Sequence, residues 1–147
     1  MGALFDYLIR ERLLCGIAGN ERFVIKAFSG GGGGSTRRGV PDPILVNNPA
    51  MASHKRGADS IHPRGGPLPA GVYTMMLPTR HPHLGLSVYL APSPENQMFH
   101  RDGFFIHGRG PQGSDGCIVP DDPQEFHRLM NAISRAGGGI LRVFLQY

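Results

Sequence analysis

The sequence predicts a mainly β fold, a β-rich α+β domain, with one α-helix. Short runs of β-branched and aromatic residues recur between turns rich in glycine and proline, and these two turn formers contribute 22 and 13 of the 147 residues. One segment near the C-terminus has a helical pattern with both ends marked. We expect a single domain over residues 1–147, because this length supports one core but not two.

The predicted strands begin near the N-terminus. Residues 4–14 fit either a strand or a short helix, whereas residues 23–29 (FVIKAFS) fit a strand better. A glycine run then opens a Gly/Pro-rich excursion over about 30–66, which we expect to be partly ordered, with Gly30–Gly34 as a mobile lid or a disordered connection. The remaining runs predict strands within 66–77, 86–92 and 104–107.

The helix is predicted to begin after Asp122. Asp122 suits the N-cap, Pro123 suits the first helical position, and Glu125 follows the cap by three residues. Apolar residues then recur at helical spacing: Phe126, Leu129, Met130 and Ile133. Three glycines at 137–139 end the helix, and residues 140–147 (ILRVFLQY) predict a final buried strand.

The formal net charge of +4 comes mostly from arginine, whose guanidinium pairs well with carboxylates and phosphates. The basic residues are scattered and no aromatic residues alternate with them, which argues against a nucleic-acid surface. No segment has the length of a membrane span, and the N-terminal stretch lacks the uninterrupted apolar core of a signal peptide. We therefore expect a protein made in the cytoplasm without a signal peptide and without membrane insertion.

The stretch FFIHGRGPQGSDGCI places His107 ten residues before Cys117. A cysteine nucleophile needs an imidazole nearby and backbone N–H donors for the oxyanion that forms, and Gly116 lies in a turn that can supply such donors. An inert turn is the alternative. The other histidines show no recognised spacing with thiols or carboxylates, so no metal and no cofactor are predicted. Cys15, after two leucines, is expected to be a small buried hydrophobe.

These residues resemble the L,D-transpeptidases, which cross-link or trim bacterial peptidoglycan. That family carries a His-Gly on a strand and then a loop ending in Ser/Thr-His-Gly-Cys and an aliphatic residue. Here His107-Gly108 and Ser114 to Ile118 (SDGCI) are similar, as is the upstream turn GPLPAGVY at 66–73. The resemblance covers roughly residues 22–120 and is strong only at these motifs.

Three departures stand out. Asp115 replaces the second histidine, the loop is short, and no arginine follows the cysteine closely. The chain is therefore most similar to the small L,D-transpeptidase-like toxins exported by type VI secretion systems, which share an early Ser-Gly turn (Ser29-Gly30 here).

The resemblance implies an L,D-transpeptidase-like β-sandwich or barrel with one helix after the catalytic loop. It implies that the Cys117 thiolate attacks a tetrapeptide stem of peptidoglycan and forms a thioester, which water resolves as an L,D-carboxypeptidase or a D-amino acid resolves as a transpeptidase. The implied catalytic residues are His107, Ser114, Gly116 and Cys117. Residues expected to bind or face the substrate are Tyr73, Gly108, Arg109 and Asp115.

Some roles stay open. Ser114 would shape the loop or orient the imidazole, Asp115 would orient His107 or only form the turn, and Tyr73 would line the acyl groove or belong to the core. The resemblance also implies action in the periplasm of a target bacterium, delivery by a secretion-machine component, and a cognate immunity protein. Two other functions remain: a cysteine amidase or endopeptidase of the cell wall, and a peptidoglycan-binding module without catalysis.

Overall fold

The computed structural model describes residues 2–33, 40–110 and 113–145. In this part of the chain the fold is mainly β with one α-helix, as predicted. The nine strands are β1 (Ala3–Leu8), β2 (Leu13–Ala18), β3 (Glu21–Ser29), β4 (Gly71–Met75), β5 (Thr79–His81), β6 (Gly85–Pro92), β7 (Phe105–His107), β8 (Ile118–Pro120) and β9 (Gly139–Phe144). The helix α1 spans Pro123–Ala136, and a short 3₁₀ turn spans Pro49–Met51.

Within the described residues the strands close into a barrel. Their order is β4-β9-β1-β2-β3-β8-β7-β6, and β6 pairs back onto β4, while β5 lies outside this ring on β6. The pairs β1–β9 and β7–β8 are parallel, and the other pairs are antiparallel. Closure leaves few unpaired strand edges, so backbone hydrogen-bonding groups are satisfied around the ring.

Residues 4–14, for which the sequence fits either a strand or a short helix, belong to the β-hairpin formed by β1 and β2. β1 and β2 pair from Leu4 opposite Ile17 to Leu8 opposite Leu13. The turn between them needs Arg12 at a positive φ of 59°, a conformation that few residues other than glycine adopt. The turn therefore has no glycine signal, and this is why the sequence pattern stays ambiguous here.

The helix α1 forms as its capping residues predict. The Asp122 side chain accepts a hydrogen bond from the Gln124 N–H at 2.9 Å, and Gly137 ends the helix in the left-handed conformation with φ 79°. Its apolar face packs on the barrel through buried residues: Phe126, Leu129, Met130, Ala132 and Ile133. This face covers parts of β1, β2, β3 and β8.

The excursion after β3 returns to the loop that precedes β8. The Gly31 N–H donates to the Gly65 carbonyl at 2.8 Å, and Gly32 exchanges two backbone hydrogen bonds of 2.7 Å with Ser114. Gly30 to Gly33 all have positive φ, between 79° and 83°, which only glycine adopts without strain. These four glycines are thus held against the Ser114 loop, and Gly34 lies outside the described residues.

Candidate active site

The strand register places His107 and Cys117 on one face of the sheet. Ile106 of β7 pairs with Ile118 of β8, and both point into the core with 0% exposure. Because successive side chains alternate between faces, Phe105, His107 and Cys117 project from the opposite face. The Phe105 N–H donates to the Cys117 sulfur at 3.3 Å, which fixes the thiol beside β7.

The Cys117 thiol is held in its neutral form. Burial raises its pKa to about 11, and the negative charge of Asp115 adds to this shift, whereas the Phe105 N–H and the Arg101 charge oppose it. The thiol is also 3.9 Å from the Gly103 carbonyl oxygen, which accepts its hydrogen bond. At neutral pH the group therefore needs a base to become a nucleophile.

His107 is the buried imidazole on this face. Its imidazole is 2% exposed, and its Nδ1 lies 2.7 Å from the Gly108 carbonyl oxygen. A carbonyl only accepts, so Nδ1 carries the proton and Nε2 carries the lone pair in the neutral ring. Burial lowers the pKa of His107, the Gly108 hydrogen bond opposes that shift, and the charge of His81 adds to it. No hydrogen bond joins His107 to Cys117 in the described structure.

Ser114 organises the loop before the thiol through its side chain. Its Oγ accepts from the N–H groups of Gly30 (2.9 Å) and Gly116 (3.1 Å) and donates to the Cys117 carbonyl at 2.5 Å. This geometry matches a loop-shaping serine, and Ser114 makes no hydrogen bond to His107 within the described residues. The Gly116 N–H, expected from the sequence to face an oxyanion, donates instead to the Ser114 hydroxyl in this structure.

Ser29 supports the same loop from β3. Its Oγ donates to the Gly116 carbonyl at 2.7 Å and accepts from the Leu68 N–H at 3.0 Å. The serine thus joins the Ser-Gly turn, the GPLP turn and the cysteine loop. The sequence motif marks Ser29 by resemblance, but its contacts become visible only in the fold.

The Asp115 carboxylate points to the excursion and not to His107. Arg64 donates to it through Nε at 2.7 Å and Nη2 at 3.1 Å, and the Gly65 N–H donates at 2.9 Å. Arg56 lies 3.8 Å away. Burial opposes the charge, yet the hydrogen bonds from Arg64 and Gly65 outweigh it and hold the pKa of Asp115 below its usual value.

Arg101 is a buried cation that sequence reasoning misses. Its guanidinium donates to the Pro67 carbonyl (2.8 Å), the Gly66 carbonyl (3.0 Å) and the Asp115 carbonyl (2.8 Å), and also to the Ala52 carbonyl. The side chain is 8% exposed and lies over the Phe104 ring. Three distant segments therefore meet on one side chain, and no local motif around Arg101 predicts this.

Two predicted substrate residues lie elsewhere. Tyr73 has 0% exposure within the core, and its hydroxyl donates to the Pro69 carbonyl at 2.6 Å, so its ring has no surface for a substrate and the core alternative holds. Arg109 donates to the Gly33 carbonyl at 3.2 Å and lies over the Phe28 ring. It lines a cavity of about 520 Å³ with Lys26.

Aromatic rings cluster around Phe105, the residue whose N–H donates to the Cys117 sulfur. The rings of Tyr89 and His81 pack on Phe105, with ring centres 5.2 Å and 5.1 Å away. A smaller cleft of about 270 Å³ lies next to the cysteine loop and has a mainly basic lining: Lys55, Arg56, His100, Arg101, Asp102, Phe104 and Asp115. The loop that carries Cys117 therefore adjoins this basic cleft through Asp115.

The described residues contain neither a metal-binding cluster nor a helix that could span a membrane. The described chain holds no cluster of three or more histidine, cysteine, aspartate or glutamate side chains that could bind a metal ion. Across residues 2–33, 40–110 and 113–145, no helix is long and apolar enough to cross a membrane.

The fold and the family of the chain follow from comparison with known proteins. A crystal structure of an L,D-transpeptidase from Xylanimonas cellulosilytica matches with a TM-score of 0.52 and 14% identity, over 98% of this chain and 61% of that one. L,D-transpeptidase 1 of Mycobacterium tuberculosis is similar, with a TM-score of 0.49 and 14% identity over 97% and 61% of the two chains. The protein thus has an L,D-transpeptidase-like fold.

Residues 45–139 match the Tlde1 domain. The chain therefore belongs to the Tlde1 family, the L,D-transpeptidase-like effectors of type VI secretion systems. It spans about three fifths of the length of the solved transpeptidases that it matches. No curated protein matches it.

Proposed function

We propose that the protein is a cysteine acyltransferase of the bacterial cell wall, acting on tetrapeptide stems of peptidoglycan as an L,D-carboxypeptidase or an L,D-transpeptidase. The observation that carries this proposal is the position of His107 at the end of β7 and of Cys117 directly before β8, the parallel strand that pairs with β7. Membership of the Tlde1 family supports the substrate class. The orientation of His107 by the Gly108 carbonyl supports the role of its Nε2 as base.

The reaction begins from two neutral groups. Because burial raises the pKa of Cys117 and lowers that of His107, a preformed ion pair is not the resting state. As the sulfur attacks the carbonyl before the terminal D-alanine, its proton passes to Nε2 of His107. The C–N bond then breaks, and the imidazolium gives that proton to the leaving amine of D-alanine.

The thioester on Cys117 is resolved by a second attack. Water yields the shortened tripeptide stem, whereas the amine of a D-amino acid yields an exchanged stem; in both, His107 accepts the proton of the attacking group. The Cys117 N–H, at the start of β8, would donate to the oxyanion of each tetrahedral intermediate. Lys55 and Arg56 would attract the carboxylates of the stem from the basic cleft.

The biological setting belongs to the same proposal. An enzyme that removes donor stems would harm a bacterium from its periplasm, so delivery by a secretion machine and a neutralising immunity protein in the producer are expected partners. Both expectations derive from the effector family.

Mass spectrometry of tetrapeptide muropeptides tests the chemistry. The samples contain wild-type protein, Cys117→Ala or Cys15→Ala, each with and without an added D-amino acid. Cys15 lies on β2 and serves as the matched thiol control. We expect loss or exchange of the terminal D-alanine with wild type and Cys15→Ala, and none with Cys117→Ala.

Two other results would replace the proposal. A cut at a different bond would indicate a cysteine amidase or endopeptidase. Unchanged muropeptides in every sample, with folded protein that still binds peptidoglycan, would indicate a binding module.

A further inference from the structure

Ser87 carries an unexplained polar group. It lies in β6 with 0% exposure, and its Oγ is the buried side-chain oxygen or nitrogen that has no hydrogen-bond partner among the described residues. Buried hydroxyls nearly always have a hydrogen-bond partner, because an unpaired one loses its hydrogen bonds to water and gains none in the protein. An orphaned hydroxyl in a folded protein therefore calls for a specific reason.

The register places this hydroxyl beside His107. Ser87 pairs with His107 across the antiparallel strands β6 and β7, and directly opposed residues project to the same face with Cβ atoms about 4.5–5.5 Å apart. The neighbours of Ser87, Leu86 and Val88, lie on the other face, where Val88 belongs to the core. Strand β8, which begins directly after Cys117, flanks β7 on its other side, so His107 lies on the strand between those of the thiol and the hydroxyl.

Among the described residues, the Gly108 backbone carbonyl favours the charged form of the imidazole, and no side chain is hydrogen-bonded to the ring. Its Nδ1 is bound to the Gly108 carbonyl at 2.7 Å, while burial and His81 on β5 both disfavour the charge. Cys117, directly before β8, gives up a proton in the proposed reaction and supplies a negative sulfur only during that step. A hydroxyl group without a fixed partner can turn its oxygen toward a positive charge when one appears.

We propose that Ser87 is a positioning residue, whose hydroxyl turns its oxygen toward the His107 ring when that ring takes the proton of Cys117. No bond forms or breaks at Ser87, and its proton stays on Oγ throughout. The hydroxyl is left unpaired in the resting enzyme because its partner is the imidazolium. This inference rests on the proposed acyl transfer, in which His107 is the base.

The test compares Ser87→Ala, Ser87→Thr and Ser93→Ala in the full chain. Threonine keeps the hydroxyl on a strand residue, and Ser93 is a half-buried serine just after β6 whose hydroxyl donates to Glu95. Three quantities are measured: urea unfolding, the pKa of His107 by NMR titration, and the pH dependence of kcat and KM on a tetrapeptide muropeptide.

A positioning role predicts opposite effects on stability and activity. Ser87→Ala removes an unpaired hydroxyl, so its unfolding midpoint stays the same or rises. Its kcat falls about 5- to 20-fold with KM little changed, as expected for loss of one interaction made in the transition state. The pKa of His107 falls by about half a unit or more, and the acid limb of the kcat profile moves to lower pH with it. Ser87→Thr restores both, and Ser93→Ala matches wild type.

Two outcomes would overturn the inference. An unchanged His107 pKa and unchanged kcat in Ser87→Ala would make Ser87 a packing residue only. Parallel losses of stability and activity in Ser87→Ala, without a shift in the His107 pKa, would give it a structural role. The NMR titration needs no substrate, so it still tests the contact if wild type proves inactive on muropeptides, in which case the proposed function fails separately.

Discussion

Asp115 and Arg64 form a two-point ion pair two residues before the thiol, although 51 positions separate them in the chain. The pair ties the cysteine loop to the end of the excursion, next to the Gly65 N–H. A pair of the same geometry joins Asp6 to Arg142 on β1 and β9, at 2.7 Å and 3.0 Å. The Asp6–Arg142 pair is therefore a matched control for Asp115–Arg64, because it has similar geometry but joins two strands and not the cysteine loop.

Asp115→Asn is expected to reduce muropeptide turnover at least tenfold, whereas Asp6→Asn keeps full activity. Each variant weakens a partly exposed pair, so each should lower the free energy of unfolding by about 1 kcal/mol or less. The activities differ because only Asp115 positions the loop of Cys117. Turnover is measured by mass spectrometry and stability by circular dichroism, since the chain has no tryptophan. Equal activities in the two variants would contradict this role.

The depressed pKa of Asp115 also predicts a pH effect on stability. Its charged form is favoured in the folded state, so its stabilising contribution is present above the unfolded pKa and is lost as the pH falls through the lower folded value. Wild type should therefore lose stability below about pH 4, and Asp115→Asn should lose less over that range. Urea unfolding at pH 3 to 6 gives the two curves, and parallel curves would argue against the assignment.

Gly116→Ala is expected to abolish turnover. Gly116 has φ 135°, and an added Cβ would lie 2.3 Å from a ring carbon of Phe104 and 2.8 Å from Arg101. Gly57 provides the comparison, because it also has a positive φ (82°) but open space around the added atom. Gly57→Ala should cost about 1 kcal/mol of unfolding free energy and leave turnover intact. An active Gly116→Ala variant would show that the loop tolerates displacement.

Arg101→Lys is expected to destabilise the protein by about 2–4 kcal/mol, since an ammonium cannot reach four carbonyls from three segments. Arg128→Lys is the control: Arg128 is partly exposed, binds Glu125 and lies over the Phe23 ring. It should cost less than about 1 kcal/mol. Chemical unfolding followed by circular dichroism measures both. Similar losses in the two variants would mean that the carbonyl contacts of Arg101 contribute little.

Alkylation by iodoacetamide tests the thiol in a Cys15→Ala background. A pKa near 11 means that the rate at Cys117 rises with pH up to about that value. At pH 7 its thiolate fraction is about 100-fold below that of a cysteine with pKa 9, so labelling at this pH is slow. The rate is followed by intact-protein mass spectrometry from pH 6 to 11. A plateau already near pH 7 would show a preformed thiolate–imidazolium pair.

Much of this fold can be predicted from local patterns. The helix α1 begins at the Pro123 that its cap predicts and ends before Gly137, because capping and termination depend on neighbouring residues alone. The strands β3 and β6 likewise match their β-branched and aromatic runs. The order of strands in the closed ring could not be read, since it depends on contacts such as Ala3 with Gly139.

Some residues of the candidate site can likewise be predicted from local motifs, whereas others become visible only in the fold. His107 and Cys117 stand in short motifs with recognisable residues around them, so sequence reasoning finds them. Arg101 and Arg64 contact partners on other segments, and Ser87 stands out only through its burial and its register opposite His107. The residues that flank these three carry no pattern that marks them. Tyr73 is the opposite case. It stands in a recognisable motif, but its burial in the core depends on packing between segments, which the motif does not encode.

The position of β9 between β1 and β4 has a consequence for folding. The ring cannot close until residues 139–144 have found the parallel register with residues 3–8. Loop closure over so long a separation is entropically costly and slow, so we expect the nascent chain to gain its final hydrogen-bond ladder only after residues 139–144 have been synthesised. Proteolytic removal of β9 would then open the barrel on the side away from Cys117 and unfold it as one cooperative unit.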